Sequence, residues 1–290
     1  IWDRMSSHSL QSIANITAMA PPVFPDISKN ANGLLTKDFY HLSKASFDVK
    51  IAAPNGVAVT LKGKTGKDDT LSSSIETKYS DKSTGLTLTQ GWNTANSLNT
   101  KVEIPDLLAP GLKAEILTSV VPNSAKSAKV NVYFSQPNVN IRGFVNLLKG
   151  PSFNGDFTVC HNGHILGSEC DYDFGKGKLS RYSSSIGYIH PAYSVGIHAT
   201  KNFDVFSASY FHKVTPAVEA GAKAVYDVKA TDEKKPVSVE FATKYSLDKT
   251  SFLKAKLADS GLAAFSYNQK MKQGVSLGVG VSFDALRLAD

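Results

Sequence analysis

From about Ala45 onward the chain is written in segments of roughly ten residues that alternate apolar and polar positions, which is the period of a β-strand with two different faces. The clearest covers 237–245. Val237, Val239, Phe241, Thr243 and Tyr245 share one face, and Ser238, Glu240, Ala242 and Lys244 share the other. Phe47, Val49 and Ile51 alternate with Asp48 and Lys50, and Val275, Leu277, Val279, Val281 and Phe283 with Ser276, Gly278, Gly280 and Ser282. Turn residues separate the segments, as in Pro54-Asn55-Gly56, Asn162-Gly163 and Asp259-Ser260-Gly261, so neighbouring strands are joined by tight hairpins. The pattern predicts about eighteen strands: 45–53, 56–65, 71–80, 85–93, 97–105, 111–121, 126–136, 138–149, 152–161, 164–174, 178–188, 192–201, 203–212, 216–226, 236–245, 251–258, 261–268 and 274–284. Those at 203–212 and 251–258 alternate poorly.

Eighteen antiparallel strands exceed what an immunoglobulin-like sandwich uses. No blade-length repeat marks a propeller, and nothing divides 45–284 into domains. A single closed barrel disposes of the edge strands. Tilted strands of this length match the hydrocarbon core of a bilayer, and a barrel of this size encloses water rather than a packed core. The expected fold is therefore a transmembrane antiparallel β-barrel, apolar face to lipid and polar face to the lumen.

The lumen candidates are Asp48, Lys50, Lys62, Lys64, Glu76, Lys78, Lys101, Glu103, Lys113, Glu115, Lys129, Arg142, Asp156, Glu219, Lys223, Glu240 and Lys244. Bases outnumber acids, so an open pore favours anions modestly unless cross-strand pairing cancels the field.

One segment breaks the alternation. Pro25-Asp26 signals a helix start. Ile27, Ala31, Leu34 and Leu35 then fall on one face of a helix over about 26–36, opposite Ser28, Lys29, Asn30, Asn32 and Lys37. Three turns, weakened by Gly33, must dock on something to persist. Residues 1–18 carry neither a secretory nor a mitochondrial targeting pattern and read as a disordered extension. The lack of a secretory signal argues against a bacterial outer-membrane porin. The implied organisation is an extension at 1–18, an N-terminal segment at 19–44 and the barrel at 45–290.

Composition now has a different meaning. The 290 residues have 42% hydrophobic content, a net charge of +7 and slightly negative mean hydropathy, with no apolar run long enough for a spanning helix. That profile suits a soluble protein, but strand alternation produces it equally well. The positive charge attracts anions. The two cysteines, Cys160 and Cys170, cannot make a disulfide framework.

Enzyme chemistry is missing. Lys62-Gly63-Lys64-Thr65 resembles the end of a phosphate-binding loop, but Ala58 stands where the loop's first glycine belongs. Gly175-Lys176-Gly177 lacks a third glycine, and no Gly-x-Ser-x-Gly elbow occurs. His161 and His164 flank a hairpin turn with no third metal ligand evident. No catalytic residue, metal or cofactor is expected.

Several stretches resemble the mitochondrial porins, the voltage-dependent anion channels, in their fungal form. They are Pro21-Pro22-Val23-Phe24-Pro25-Asp26-Ile27 through Phe39-Tyr40, then Gly85 to Thr94 with its Thr89-Gln90-Gly91-Trp92 core. Gly111-Leu112-Lys113, Tyr245 to Leu262 and Gly274 to Leu288 complete the set. The resemblance spans roughly 20–290, and Lys249 is larger than the C-terminal signature usually allows.

The resemblance implies a voltage-gated, weakly anion-selective pore of the mitochondrial outer membrane. It would conduct ATP, ADP, phosphate and small metabolites passively, with the helix folded into the lumen. It also implies contact with membrane lipid, self-association and docking of a cytosolic kinase, and no nucleic acid. Lumen selectivity would fall to Lys29, Lys37, Lys50, Lys62, Lys64, Lys101, Lys113 and Arg142. A nucleotide contact would fall at Gly111, Leu112 and Lys113, and the docking face at Ile27, Ala31, Leu34 and Leu35.

Gln90 takes the place of a membrane-facing acid of animal members. It shares a face with Leu86, Leu88 and Trp92, so it should meet lipid uncharged. The family has nineteen strands and eighteen are readable, so the last, barrel-closing strand is expected to be missing from this sequence. Closure would then need the first and eighteenth strands to pair antiparallel or leave an open edge. Two rivals remain: the related barrel of the mitochondrial import translocase, which would need to bind basic presequences, and a soluble β-rich module for anionic ligands.

Overall fold

The computed structural model describes residues 20–39, 46–53, 55–65, 70–81, 83–106, 109–122, 126–148, 150–230, 236–272 and 275–285. The expected extension at 1–18 lies outside these residues. Eighteen strands form one sheet: β1 (Ser46–Ala52), β2 (Val57–Thr65), β3 (Leu71–Ser80), β4 (Thr87–Asn93), β5 (Leu98–Ile104), β6 (Leu112–Val120), β7 (Lys126–Gln136), β8 (Val139–Asn146), β9 (Ser152–His161), β10 (His164–Asp173), β11 (Lys178–Ile189), β12 (Tyr193–Thr200), β13 (Val205–Lys213), β14 (Val218–Asp227), β15 (Val237–Ser246), β16 (Ser251–Ala258), β17 (Leu262–Lys272) and β18 (Val275–Asp284).

Each strand pairs antiparallel with its successor, from β1–β2 through the middle of the sheet to β17–β18. Among the described residues no ladder joins β1 to β18. Most boundaries fall within two or three residues of those read from the alternation. The main difference is β17, which continues through Asn268 to Lys272 and carries a register irregularity near Met271. The alternation ended this strand at 268, but Gln269, Lys270 and Lys272 find ladder partners on β18.

Register makes the two faces continuous, because directly paired residues point to the same side. One face carries Phe47, Trp92, Leu166, Ile186, Phe241 and Val279, all large and exposed. This is the exterior. The other face carries the charged residues, in rows that cross the strands: Ala58, Lys78, Thr89, Lys101, Leu117 and Lys129 are successive partners from β2 to β7.

The N-terminal segment lies inside. A 3-10 turn at Phe24–Asp26 precedes one helix, α1 (Lys29–Thr36). The helix was expected from about 26. Pro25 instead sits inside the 3-10 turn, and Ser28, with φ −105° and ψ 24°, interrupts the helical path where its side chain is drawn to the wall. The segment's polar bonds reach wall residues from Asn140 on β8 to Lys254 on β16, so the sheet curves around it. Its apolar residues supply much of the buried hydrophobic set.

Candidate functional site

The segment docks by two apolar clusters. Phe24 and Ile27 pack with Cys160 and Ile165 at the β9–β10 hairpin, with Ile189 alongside. Ala31, Leu34 and Leu35 pack with Phe211 of β13 and Ala242 of β15. The expected docking face is thus the one buried: Ile27, Ala31, Leu34 and Leu35 are all 4% exposed or less. Full burial of each large side chain is worth about 1.5–3 kcal/mol.

Backbone approach sets the fit. A Cβ on Gly196 would lie 2.4 Å from Ser28 Oγ, and one on Gly167 would lie 3.0 Å from both Phe24 and Ile27. Around these contacts the wall carries buried Ser185, Ser194 and Ser209, with the longer His198, Lys223 and Lys254 making polar bonds to the segment.

Polar bonds fix the register of the segment. Asn140 and Thr158 donate to the carbonyls of Pro21 and Pro22 at 3.2 and 2.7 Å. Proline leaves no N–H on these residues, but its carbonyl still demands a partner. Ser28 Oγ lies 2.6 Å from both His198 Nε2 and Ser209 Oγ. Lys223 donates to Asn32 Oδ1 at 3.0 Å.

At the other end, Lys254 of β16 places its ammonium against the carbonyls of Gly33 and Lys37, 3.3 and 2.7 Å away. It lies over the Phe39 ring and 3.7 Å from Asp38. A buried cation therefore caps the C-terminus of α1, where unpaired carbonyls and the helix dipole favour positive charge.

Elsewhere the lumen wall carries charge in pairs. Lys101 and Lys113 each contact both Glu103 and Glu115, at 2.5–3.2 Å, and Tyr133 donates to Glu115. Arg142 grips Asp156 through Nε and Nη2. Arg181 bridges Glu169 and Asp171, Lys244 meets Glu219, and Lys256 meets Glu240.

The remaining bases are different. Lys62, Lys64, Lys78 and Lys129 point into the lumen, exposed, with no ion pair among the described residues. Lys50 faces the same way, opposite Thr60. Glu76 is an acid of this arc whose side chain likewise has no ion pair among the described residues. The Asp48 side chain lies outside what the structure describes.

The sequence-selected residues thus divide. Lys62 and Lys64 stand in open lumen. Lys101, Lys113 and Arg142 stand in ion pairs, so their charge is largely answered locally. Lys29 is exposed but bound to Asp26 at 2.8 Å. Lys37 is exposed, and its carbonyl serves Lys254. Of the candidate nucleotide triplet, Gly111 lies in the turn before β6, Leu112 faces outward beside Phe134, and only Lys113 enters the lumen. Gln90 is exposed on the exterior in phase with Leu88 and Trp92.

Reading the alternation alone missed Lys254, His198, Glu169, Asp171 and Arg181. For Lys254 a signal existed: Phe252, Lys254 and Lys256 share one phase of a strand whose alternation is otherwise poor. For His198 none did, because its partner is 170 residues away.

Comparison with known proteins bears on what this lumen serves. The eukaryotic porin family model matches residues 20–289. The chain is 56% identical over 273 residues to the mitochondrial outer membrane protein porin of Candida albicans, covering 94% of this chain and 95% of that one. It is 49% identical over 271 residues to the protein of the same name from Neurospora crassa, covering 93% and 95%. It is 45% identical over 274 residues to the non-selective voltage-gated ion channel 1 of Saccharomyces cerevisiae, covering 94% and 95%.

Proposed function

The chain belongs to the eukaryotic porin family, and from that premise we propose that its lumen passes ATP, ADP, phosphate and other small anionic metabolites by passive diffusion. The protein is a voltage-gated pore of the mitochondrial outer membrane and not an enzyme. The observation that carries the permeant class is the arc of exposed lysines, Lys62, Lys64, Lys78 and Lys129, facing open lumen without carboxylate partners among the described residues. Fixed positive charge around water raises the local concentration of anions and lowers that of cations, giving preference without tight binding. Weak binding is what conduction requires.

The same charges bear on gating. The N-terminal segment at 19–44 carries Asp26 and Asp38 against Lys29, Lys37 and Lys44, a net charge of only +1. Moving it as a body through the membrane field does little electrical work. Each elementary charge moved through the full field is worth about 2.3 kcal/mol per 100 mV, so the voltage acts chiefly on the lysines of the open arc.

Planar-bilayer recording across a salt gradient tests the selectivity. A reversal potential on the anion side is expected in the open state, and one on the cation side would overturn the reading. Uptake of labelled ATP into vesicles bearing the protein tests the permeants themselves.

A further inference from the structure

One rim of the barrel carries an unusual set of side chains. Odd-numbered strands end there. Across β9 to β13 its outward face holds four histidines, His161, His164, His190 and His212, joined by tyrosines. The His164 ring is 4.9 Å from Tyr188, Tyr188 is 5.9 Å from Tyr193, and Tyr193 is 4.9 Å from His190 and 6.3 Å from His212. Tyr210 Oη lies 3.0 Å from His212 Nδ1, and His161 is the direct cross-strand partner of His164. These rings are in phase with Leu166, Ile186 and Ile197, which are exposed on the exterior.

The arc is free of acid. The rim segments 136–139, 161–164, 189–193 and 211–218 contain no Asp or Glu, and their one lysine is Lys213. The carboxylate in register with Lys213, Glu219, points inward and is held by Lys244. The opposite rim of the same strands is built differently. There Asp173, Asp204 and Asp227 mingle with Lys176, Lys201 and Lys229, Lys229 is paired to Asp204 at 2.6 Å, and the aromatic pair Tyr182–Phe203 includes no histidine.

We propose that the histidine arc docks the phosphates of anionic phospholipid headgroups. Aromatic rings at a strand end seat a barrel at the headgroup level, with apolar bodies in lipid and polar tips in the wet layer. Imidazole adds an N–H donor at that depth and, as pH falls from about 8 to 5, a positive charge. The Ala192 N–H donates to His190 Nδ1, which leaves the neutral ring's proton on Nε2 as a donor. His161, His164 and His212 are not held by a backbone N–H. With no carboxylate on the outward face of this arc among the described residues, acquired charges are met by lipid phosphate.

The proposal rests on the membrane-spanning reading of the chain, and its test separates the two. The full chain is reconstituted in phosphatidylcholine vesicles, and the motionally restricted lipid is measured with spin-labelled phosphatidylglycerol and with spin-labelled phosphatidylcholine, from about pH 8 to 5. Phosphatidylglycerol keeps a constant charge over this range. Its selectivity over phosphatidylcholine is expected to rise on acidification by about fivefold, the worth of one basic group at an anionic surface. The triple variant His161→Gln, His164→Gln, His212→Gln should lose the rise, and Lys176→Gln with Lys201→Gln on the opposite rim should keep it. A flat profile in the unsubstituted protein overturns the proposal, as does a rise retained by the histidine variant. Absence of any restricted lipid would instead overturn the membrane-spanning reading.

Discussion

The wall under the N-terminal segment and the arc of β2, β3 and β7 facing open lumen obey the same alternation but differ in what they point inward. Beneath the segment most inward residues are glycine, serine, alanine and a few apolar side chains such as Ile165 and Phe211, and the long ones, His198, Lys223 and Lys254, are tied to the segment by hydrogen bonds. On the open arc they are long and cationic: Lys62, Lys64, Lys78 and Lys129. A surface that receives another part of the chain must be shaped, and long flexible side chains would fill the space. A surface that acts on passing ions must project fixed charge into water, and close packing would bury it at a large desolvation cost. One sheet thus serves as a docking platform on one side and an electrostatic surface on the other.

The largest expected effect comes from spoiling the platform. Gly196→Leu puts a side chain where Ser28 Oγ sits and cannot be relieved by a wall strand laddered on both sides. Overpacking of this kind costs about 3 kcal/mol, enough to undock the segment. A cysteine at Ala31, buried in the docked state, should then react with a water-soluble maleimide as fast as an exposed thiol. Slow labelling in the Gly196→Leu background would show that the wall does not hold the segment.

Next is Lys254→Met, which leaves the Gly33 and Lys37 carbonyls without their cation. Loss of a charged hydrogen bond costs about 1.5–3 kcal/mol, partly returned because the ammonium no longer has to be buried. The last turn of α1 should fray, with faster labelling at Leu34→Cys and an altered open-state conductance, and Lys254→Arg should restore both. Unchanged labelling and conductance would mean that the apolar clusters suffice.

On the open arc, Lys62→Glu with Lys78→Glu should move the reversal potential toward cations and flatten the voltage dependence. A fixed charge in water acts on a neighbouring ion with about 1 kcal/mol at 4 Å. Lys29→Gln should change the steepness less. If it flattens the response more than the wall variants do, the segment and not the arc carries the gating charge. Arg142→Met with Asp156→Leu removes a mutually satisfied pair and leaves net charge unaltered, so selectivity should stay where it is.

The smallest effect concerns turns outside both regions. Hydroxyl and backbone hydrogen bonds from Thr84 and Ser83 hold the Asp81 carboxyl down at about 2, and those from Thr250 and Ser251 do the same for Asp248. A depressed carboxylate contributes turn stability that is fully present above its unfolded value near 3.8 and is lost as pH falls through about 2. Amide exchange at Ser83 and Thr250 should quicken in that window. Asp81→Ala and Asp248→Ala should exchange quickly at neutral pH and show no further acid step.

The covered and open regions were not equally legible. Strand number, face and most boundaries were readable from periodicity, because a strand between lipid and water must alternate and each residue reports its side locally. β13 and β16 were the difficult strands for a physical reason. β13 carries Phe211 inward under α1, and β16 carries Phe252 inward, in phase with Lys254 and under the Lys244 ammonium, so neither follows the simple division into apolar-out and charged-in. The apolar face of the helix was legible too, since Ile27, Ala31, Leu34 and Leu35 repeat at helical spacing.

The sequence by itself determined the barrel, the inward direction of the lysines and the need for the helix to dock. Each follows from a period within ten or so residues. The tertiary structure decided which wall the helix occupies, that Lys254 closes its C-terminus, and that Lys101, Lys113 and Arg142 are answered by carboxylates while, among the described residues, Lys62, Lys64 and Lys78 are not. It also brought four histidines from three hairpins onto one rim. Those outcomes depend on cross-strand register and on the curvature of the sheet around the segment. They join residues up to 221 positions apart, a distance over which no local periodicity carries information.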